Sequence, residues 1–89
     1  MTPLDEALLL NHAGWATNLW RSVLLGDVTP ADAERRCEEA AAGLPPYLAE
    51  PARAIAAAVR SGLEAVAECS LTPRDFEARV QAKLQEVLP

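Results

Sequence analysis

Few residues of the sequence have side chains that could do chemistry near neutral pH, and they lie far apart. His12 is the single histidine, and Cys37 and Cys69 are the two cysteines. No serine or cysteine lies close enough to His12 in the sequence to form an obvious nucleophile and base pair. Because His12 falls in an apolar helical pattern, we expect a buried core histidine. We therefore predict no catalytic residue and no enzyme activity; an enzyme or ligand carrier centred on His12 is the least favoured function.

The patterns typical of metal and cofactor sites are missing from the sequence. Metal sites in helical bundles use Glu-x-x-His pairs on facing helices, and zinc sites use closely spaced cysteines and histidines. Neither spacing occurs, and no glycine-rich phosphate loop is present. The acidic residues Glu38, Glu39, Glu64 and Glu68 fall largely on polar helical faces, where solvated charge is expected. The sequence predicts no metal, no cofactor and no small-molecule substrate.

The charge of the chain is acidic and unevenly distributed. Its net charge is −5, which argues against nucleic-acid binding because that function needs a basic surface. In residues 1–50, three arginines stand against eight acids: Asp5, Glu6, Asp27, Asp32, Glu34, Glu38, Glu39 and Glu50. Such a surface could attract a basic target. An inhibitor or immunity-type protein that uses this acidic half is therefore our alternative function.

The sequence favours a cytoplasmic protein. Acidic residues closely follow Met1, and no basic segment and apolar run of a signal peptide are present. No apolar stretch approaches the roughly 18 residues of a membrane span. Two cysteines do not make a disulfide framework. We predict no membrane partner.

The amino-acid composition and the residues typical of helix ends predict an all-α fold. The chain is 51% hydrophobic but only 4% aromatic, and it is rich in alanine, the best helix former. Proline and threonine at helix starts, with glycine or proline at helix ends, give helices at about 3–25, 30–43, 51–69 and 73–88. A chain of this length makes one domain, 1–89. Short connections predict a four-helix antiparallel up-down bundle.

The sequence makes two specific predictions for the third helix, one about where it starts and one about the neighbour of Gly62. The favoured start is Pro51; the alternative starts at Pro46 and accommodates Pro51 in the second turn with distortion. Gly62 costs about 1 kcal/mol inside a helix. We expect it to mark close contact with a bulky neighbour, for which a tryptophan is the candidate.

The chain also contains a possible internal repeat. Val28-Thr29-Pro30-x-Asp32 matches Leu71-Thr72-Pro73-x-Asp75 at an offset of 43 residues. This pattern indicates either a duplicated helical hairpin, or two helices that share common capping residues.

The first helix carries more apolar surface than one neighbour needs. At about 100° per residue, its apolar residues cover an arc of roughly 200°, whereas a helix that packs on one neighbour needs little more than about 100°. Such a helix either is central in the bundle or also binds a partner. Its two tryptophans are either both core residues, or one belongs to the core and one to an interface. The predicted interface comprises Leu8, His12, Trp15, Leu19, Trp20 and Leu24.

These features favour a small acidic helical module for protein–protein interaction or regulation. It would self-associate as a homodimer or bind a larger protein through the apolar surface of the first helix.

Overall fold

The computed structural model describes residues 2–88 and contains four helices. They are α1 (Pro3–Leu24), α2 (Pro30–Ala42), α3 (Pro46–Ala67) and α4 (Pro73–Val87). Residues 2–88 contain no strand. The predicted all-α class and the bundle of four helices are confirmed.

A threonine followed by a proline starts three of the four helices. The side chains of Thr2, Thr29 and Thr72 each accept a hydrogen bond from the backbone N–H of an aspartate three residues later. At Thr2 these bonds form a complete capping box, because the backbone N–H of Thr2 also donates to the Asp5 carboxylate at 3.0 Å. These bonds give partners to N–H groups that a helix end otherwise leaves unpaired. Local sequence therefore determines these three starts.

The predicted start of the third helix at Pro51 is wrong. α3 begins at Pro46 and includes Pro51 in its second turn. Pro51 has no N–H to donate to the carbonyl of Tyr47, four residues before it. The first turn persists because Leu48 is fully buried on the same face as Ala52. Burying a leucine contributes about 1.5–3 kcal/mol, which is comparable to the cost of about 3 kcal/mol for an internal proline.

Ion pairs show that α2 and α3 run antiparallel. Glu38 of α2 lies 3.1 Å from Arg53 of α3, and Glu34 lies 2.6 Å from Arg60. The glutamate nearer the start of α2 therefore pairs with the arginine nearer the end of α3, as expected for antiparallel helices. The short connections between consecutive helices continue this alternation of direction through the chain.

α1 and α3 run parallel and form the centre of the molecule. Tyr47 contacts Asp5 near the start of both helices, and Arg60 contacts Trp20 further along both. This pair makes the most extensive helix contact, and among the described residues α2 and α4 do not contact each other. The two outer helices lie on separate sides of the central pair. The result is a flat bundle with dimensions of 36 × 26 × 15 Å.

The central pair also supplies most of the core. The largest fully buried side chains are Leu9, Leu48, Ile55, Val59 and Leu84, four of which belong to α1 and α3. α2 contributes chiefly small side chains and therefore packs closely while burying little apolar area. α1 and α3 are each 22 residues long, which is compatible with the possible internal repeat. That the two helical hairpins arose by duplication stays a prediction.

Gly62 allows α4 to approach α3 closely. A Cβ atom at this position would lie 2.6 Å from Cδ1 of Phe76. The bulky neighbour is therefore Phe76, and the tryptophan proposed from the sequence is the wrong residue. Neither tryptophan reaches this contact because both belong to α1, whereas Gly62 faces α4.

Candidate interaction surface

Three of the six residues predicted to form an interface lie in the core of the chain itself. His12, Leu19 and Trp20 are only 5%, 8% and 5% exposed. They fill the side of α1 that packs inside the bundle. Much of the wide apolar arc of α1 is therefore used by the central position of this helix. A partner cannot reach these three side chains while the bundle keeps this packing.

The other three predicted residues remain accessible. Trp15 is 37% exposed and Leu24 is 46% exposed, while Leu8 is half-buried. Trp20 is thus the core tryptophan and Trp15 lies at the surface. The sequence did not distinguish the two, because both lie on the same broad arc.

Trp20 is held by charged residues of the neighbouring helices. The guanidinium carbon of Arg60 lies 4.4 Å from the centroid of the Trp20 ring, a distance that permits a cation–π interaction. Arg60 is held in turn by Glu34 at 2.6 Å and Glu64 at 3.2 Å. Burial raises the pKa of the Cys37 thiol beside the indole, so this thiol stays protonated at neutral pH. The cluster stabilises the packing of α1, α2 and α3.

His12 lies beside Trp15 at the edge of α1 that faces α2. The centroids of the two rings are 5.5 Å apart, and their planes are tilted by 33°. Burial lowers the pKa of His12, although a contact with the backbone of Ala52 acts in the opposite direction. The imidazole is therefore neutral at neutral pH. Within residues 2–88 its Nε2 atom has no hydrogen-bond partner.

The exposed edge of α1 around Trp15 forms an apolar surface. Leu4, which is 67% exposed, lies one helical turn before Leu8 on the same side of α1. A shallow cleft of about 230 Å³ separates this edge from α2 and is lined by Leu8, Asn11, His12, Trp15, Ala40 and Leu44. We call Leu4, Leu8, Trp15 and Leu44 the Trp15 surface.

A larger groove separates the opposite edge of α1 from α4. It has a volume of about 760 Å³, and it exists because α4 packs mainly on α3 and only lightly on α1. We call it the α1–α4 groove. Its apolar and small residues are Leu10, Ala13, Gly14, Thr17, Pro73, Phe76, Val80 and Leu84. The sequence did not reveal the groove, since the residues of α1 that line it are mostly small or polar.

The charges around the two surfaces differ. The acids of α2 face arginines of their own chain: Asp32 contacts Arg35 and Arg36, Glu34 contacts Arg60, Glu38 contacts Arg53, and Glu39 contacts Arg35. In contrast, Arg21 and Arg74, which line the α1–α4 groove, form no ion pair within residues 2–88.

Asp5 is a buried carboxylate with a structural role. It is 4% exposed, and it accepts a hydrogen bond from the hydroxyl group of Tyr47 at 2.7 Å. The backbone of Thr2, followed by the Tyr47 hydroxyl, lowers the pKa of Asp5. This bond joins the first turns of α1 and α3. No sequence signal pointed to it, because the partners are distant along the chain.

Three further features of residues 2–88 concern metal ions, membranes and thiols. In residues 2–88, no three side chains from histidine, cysteine, aspartate or glutamate are grouped so that they could hold a metal ion. None of the described helices combines the length and apolar character needed to cross a bilayer. Both Cys37 and Cys69 are free thiols.

Comparison of the chain with protein-family models, curated proteins and solved structures found no match. At the Trp15 surface and at the α1–α4 groove, exposed apolar residues of α1 border a concave surface. Both belong to the helix that the sequence had singled out.

Proposed function

We propose that the protein is a non-catalytic interaction module that binds a larger protein through the Trp15 surface. The exposure of Trp15 carries the proposal. Tryptophan is enriched among the residues that dominate binding energy at protein interfaces. Here the side chain lies on the outer edge of a helix whose inner side is fixed in the core. Its position is therefore well ordered before a partner arrives, which lowers the entropic cost of binding.

The neighbours of Trp15 also suit a protein partner. Leu4 and Leu8 extend the apolar edge along α1, and Leu44 lies across the cleft. His12 lines the same cleft but is only 5% exposed. The exposed side chain of Asn11 is therefore the polar group that a partner can reach beside the apolar residues. An apolar patch with a polar rim is typical of a specific interface.

The alternative function, in which the acidic half binds a basic target, has less support. Four acids of α2 are already paired with arginines of the same chain. A basic target would have to compete with these pairs. Our proposal places the module in the cytoplasm, where the free thiols of Cys37 and Cys69 would remain reduced.

Site-specific photocrosslinking in cells of the native host tests the proposal. A photoreactive phenylalanine analogue replaces Trp15 in one variant and the exposed Gln85 of α4 in a matched control. We expect a discrete crosslinked species of higher mass from position 15 alone. Mass spectrometry should identify a protein other than this chain in that species. No adduct at position 15, or the same adducts from both positions, would contradict the proposal.

A further inference from the structure

Gly14 has no explanation within the described chain. It lies in the middle of α1, where glycine destabilises a helix relative to alanine. Apart from its two chain neighbours and the helix backbone within four residues, no atom of residues 2–88 lies within 4 Å of the Cβ that another residue would place there. Gly62 offers the contrast, since Phe76 occupies the space of its missing Cβ. The open space at Gly14 lies in the wall of the α1–α4 groove.

We propose that the α1–α4 groove binds α1 of a second copy of this chain, forming a two-fold symmetric dimer. The two copies of α1 cross in antiparallel orientation at Ala13 and Gly14. Small residues at a crossing point let two helix backbones approach closely. The partly buried residues of the groove on α4, Phe76 and Val80, then pack against the incoming helix.

The order of residues along α1 fits this symmetry. A two-fold axis between Ala13 and Gly14 places Leu10 of each copy opposite Thr17 of the other. The same axis places Glu6 opposite Arg21. An interface of this kind must be self-complementary, because one surface meets itself. An apolar side chain thus meets a small one, and an acid meets a base, at matching distances from the axis.

Charge complementarity supports the choice of a second copy as the occupant. Glu6 lies one turn before Leu10 on the same side of α1 and is exposed. Neither Glu6 nor Arg21 forms an ion pair in the described part of the chain. The groove is basic at the end where Arg21 and Arg74 lie, and Glu77 is the one acid that lines it. The dimer provides Arg21 with an acidic partner that residues 2–88 of its own chain do not supply.

This inference does not depend on the proposed function. The Trp15 surface borders α2, whereas the groove borders α4. A dimer would therefore leave both Trp15 surfaces free, and each copy could bind a partner. Replacing Trp15 with alanine should change partner binding and leave dimerisation unaltered, so failure of one proposal is distinguishable from failure of the other.

Charge reversal tests the symmetric pairing. Glu6→Arg and Arg21→Glu each turn both symmetry-related ion pairs into repulsive pairs, so we expect each variant to dimerise about tenfold or more weakly than the wild type. Mixing the two variants restores both attractions and should recover a heterodimer. The measurement is sedimentation velocity across roughly 10 μM to 1 mM, where a modest interface dissociates. Circular dichroism checks that each variant is folded.

Substitution of Gly14 tests the crossing point. Gly14→Met should leave the fold intact, because the space around this position is open, and should abolish the dimer. The matched variant Gln85→Met adds the same side chain outside the groove and should dimerise as the wild type does. A wild-type chain that stays monomeric throughout the concentration range overturns the proposal. So does a dimer that neither Gly14→Met nor the charge reversals weaken, since the groove would then hold another occupant.

Discussion

At the scale of single residues, two glycines should respond to alanine in opposite directions. Gly14→Ala replaces a flexible residue where space is open, so the free energy of unfolding of the monomer should rise by about 0.5–1 kcal/mol. Gly62→Ala forces Phe76 to move and should lower it by about 1–3 kcal/mol. Urea unfolding at low protein concentration measures both changes.

A double variant provides the control for this pair. In a Phe76→Leu background the aromatic ring no longer fills the space beside Gly62, so the loss caused by Gly62→Ala should be smaller. Equal losses in both backgrounds would show that contact with Phe76 is not the reason for glycine at this position.

The bond between Asp5 and Tyr47 should make stability depend on pH. The folded-state pKa of Asp5 is lowered below its ordinary value of 3.8. The stability that the ionised Asp5 carboxylate contributes is therefore present above its unfolded-state pKa. It is lost as the pH falls through its folded-state pKa. Tyr47→Phe removes the second-largest cause of this lowering. We expect it to reduce the melting temperature at neutral pH, and the difference from the wild type should shrink towards about pH 2.

The Asp5→Asn background isolates this effect. Without a titrating carboxylate, the effect of Tyr47→Phe on the melting temperature should no longer vary with pH. Variation that persists in that background would assign the dependence to another group.

At the scale of helices, Pro51 should limit the stability of α3. Pro51→Ala restores an N–H group that can donate to the carbonyl of Tyr47. Proline also restricts the unfolded chain, which offsets part of this gain. We expect the free energy of unfolding to rise by about 2 kcal/mol, measured by urea unfolding with an unchanged m-value.

Pro73→Ala is the matched control for this change. Pro73 occupies the first position of α4, where no intrahelical N–H bond is lost. We expect no gain from this substitution. A gain as large as that at Pro51 would show that the missing N–H bond to the carbonyl of Tyr47 is not the reason for the gain at Pro51.

The helices also show what the sequence could reveal. The starts at Thr2, Thr29 and Thr72 were predictable, since each cap depends on residues within four positions. The start of α3 was not, because Leu48 continues the helix through burial against other helices. Likewise, periodicity placed Trp15 and Trp20 on one arc but did not say which edge of that arc the bundle would cover. Local bonds were readable from the sequence, whereas the partners in contacts between helices were not: Gly62 indicated a close contact, but not that Phe76 makes it.

At the scale of the molecule, the flat arrangement explains why α1 has two exposed edges. α1 and α3 lie at the centre, and α2 and α4 flank them without meeting in the described residues. Only part of α1 is therefore covered. The Trp15 surface borders one flanking helix and the α1–α4 groove borders the other. The wide apolar arc seen in the sequence is accounted for partly by this central position and partly by surface that remains exposed.

The most direct measurement is the affinity of the crosslinked partner for the purified wild-type chain and for Trp15→Ala. Trp15 lies at the surface, whereas the core depends on Trp20. If α1 binds through the Trp15 surface, the Kd should rise at least about tenfold, while the melting temperature should change by only a few degrees. An unchanged Kd, with the variant fully folded, would contradict binding through this surface.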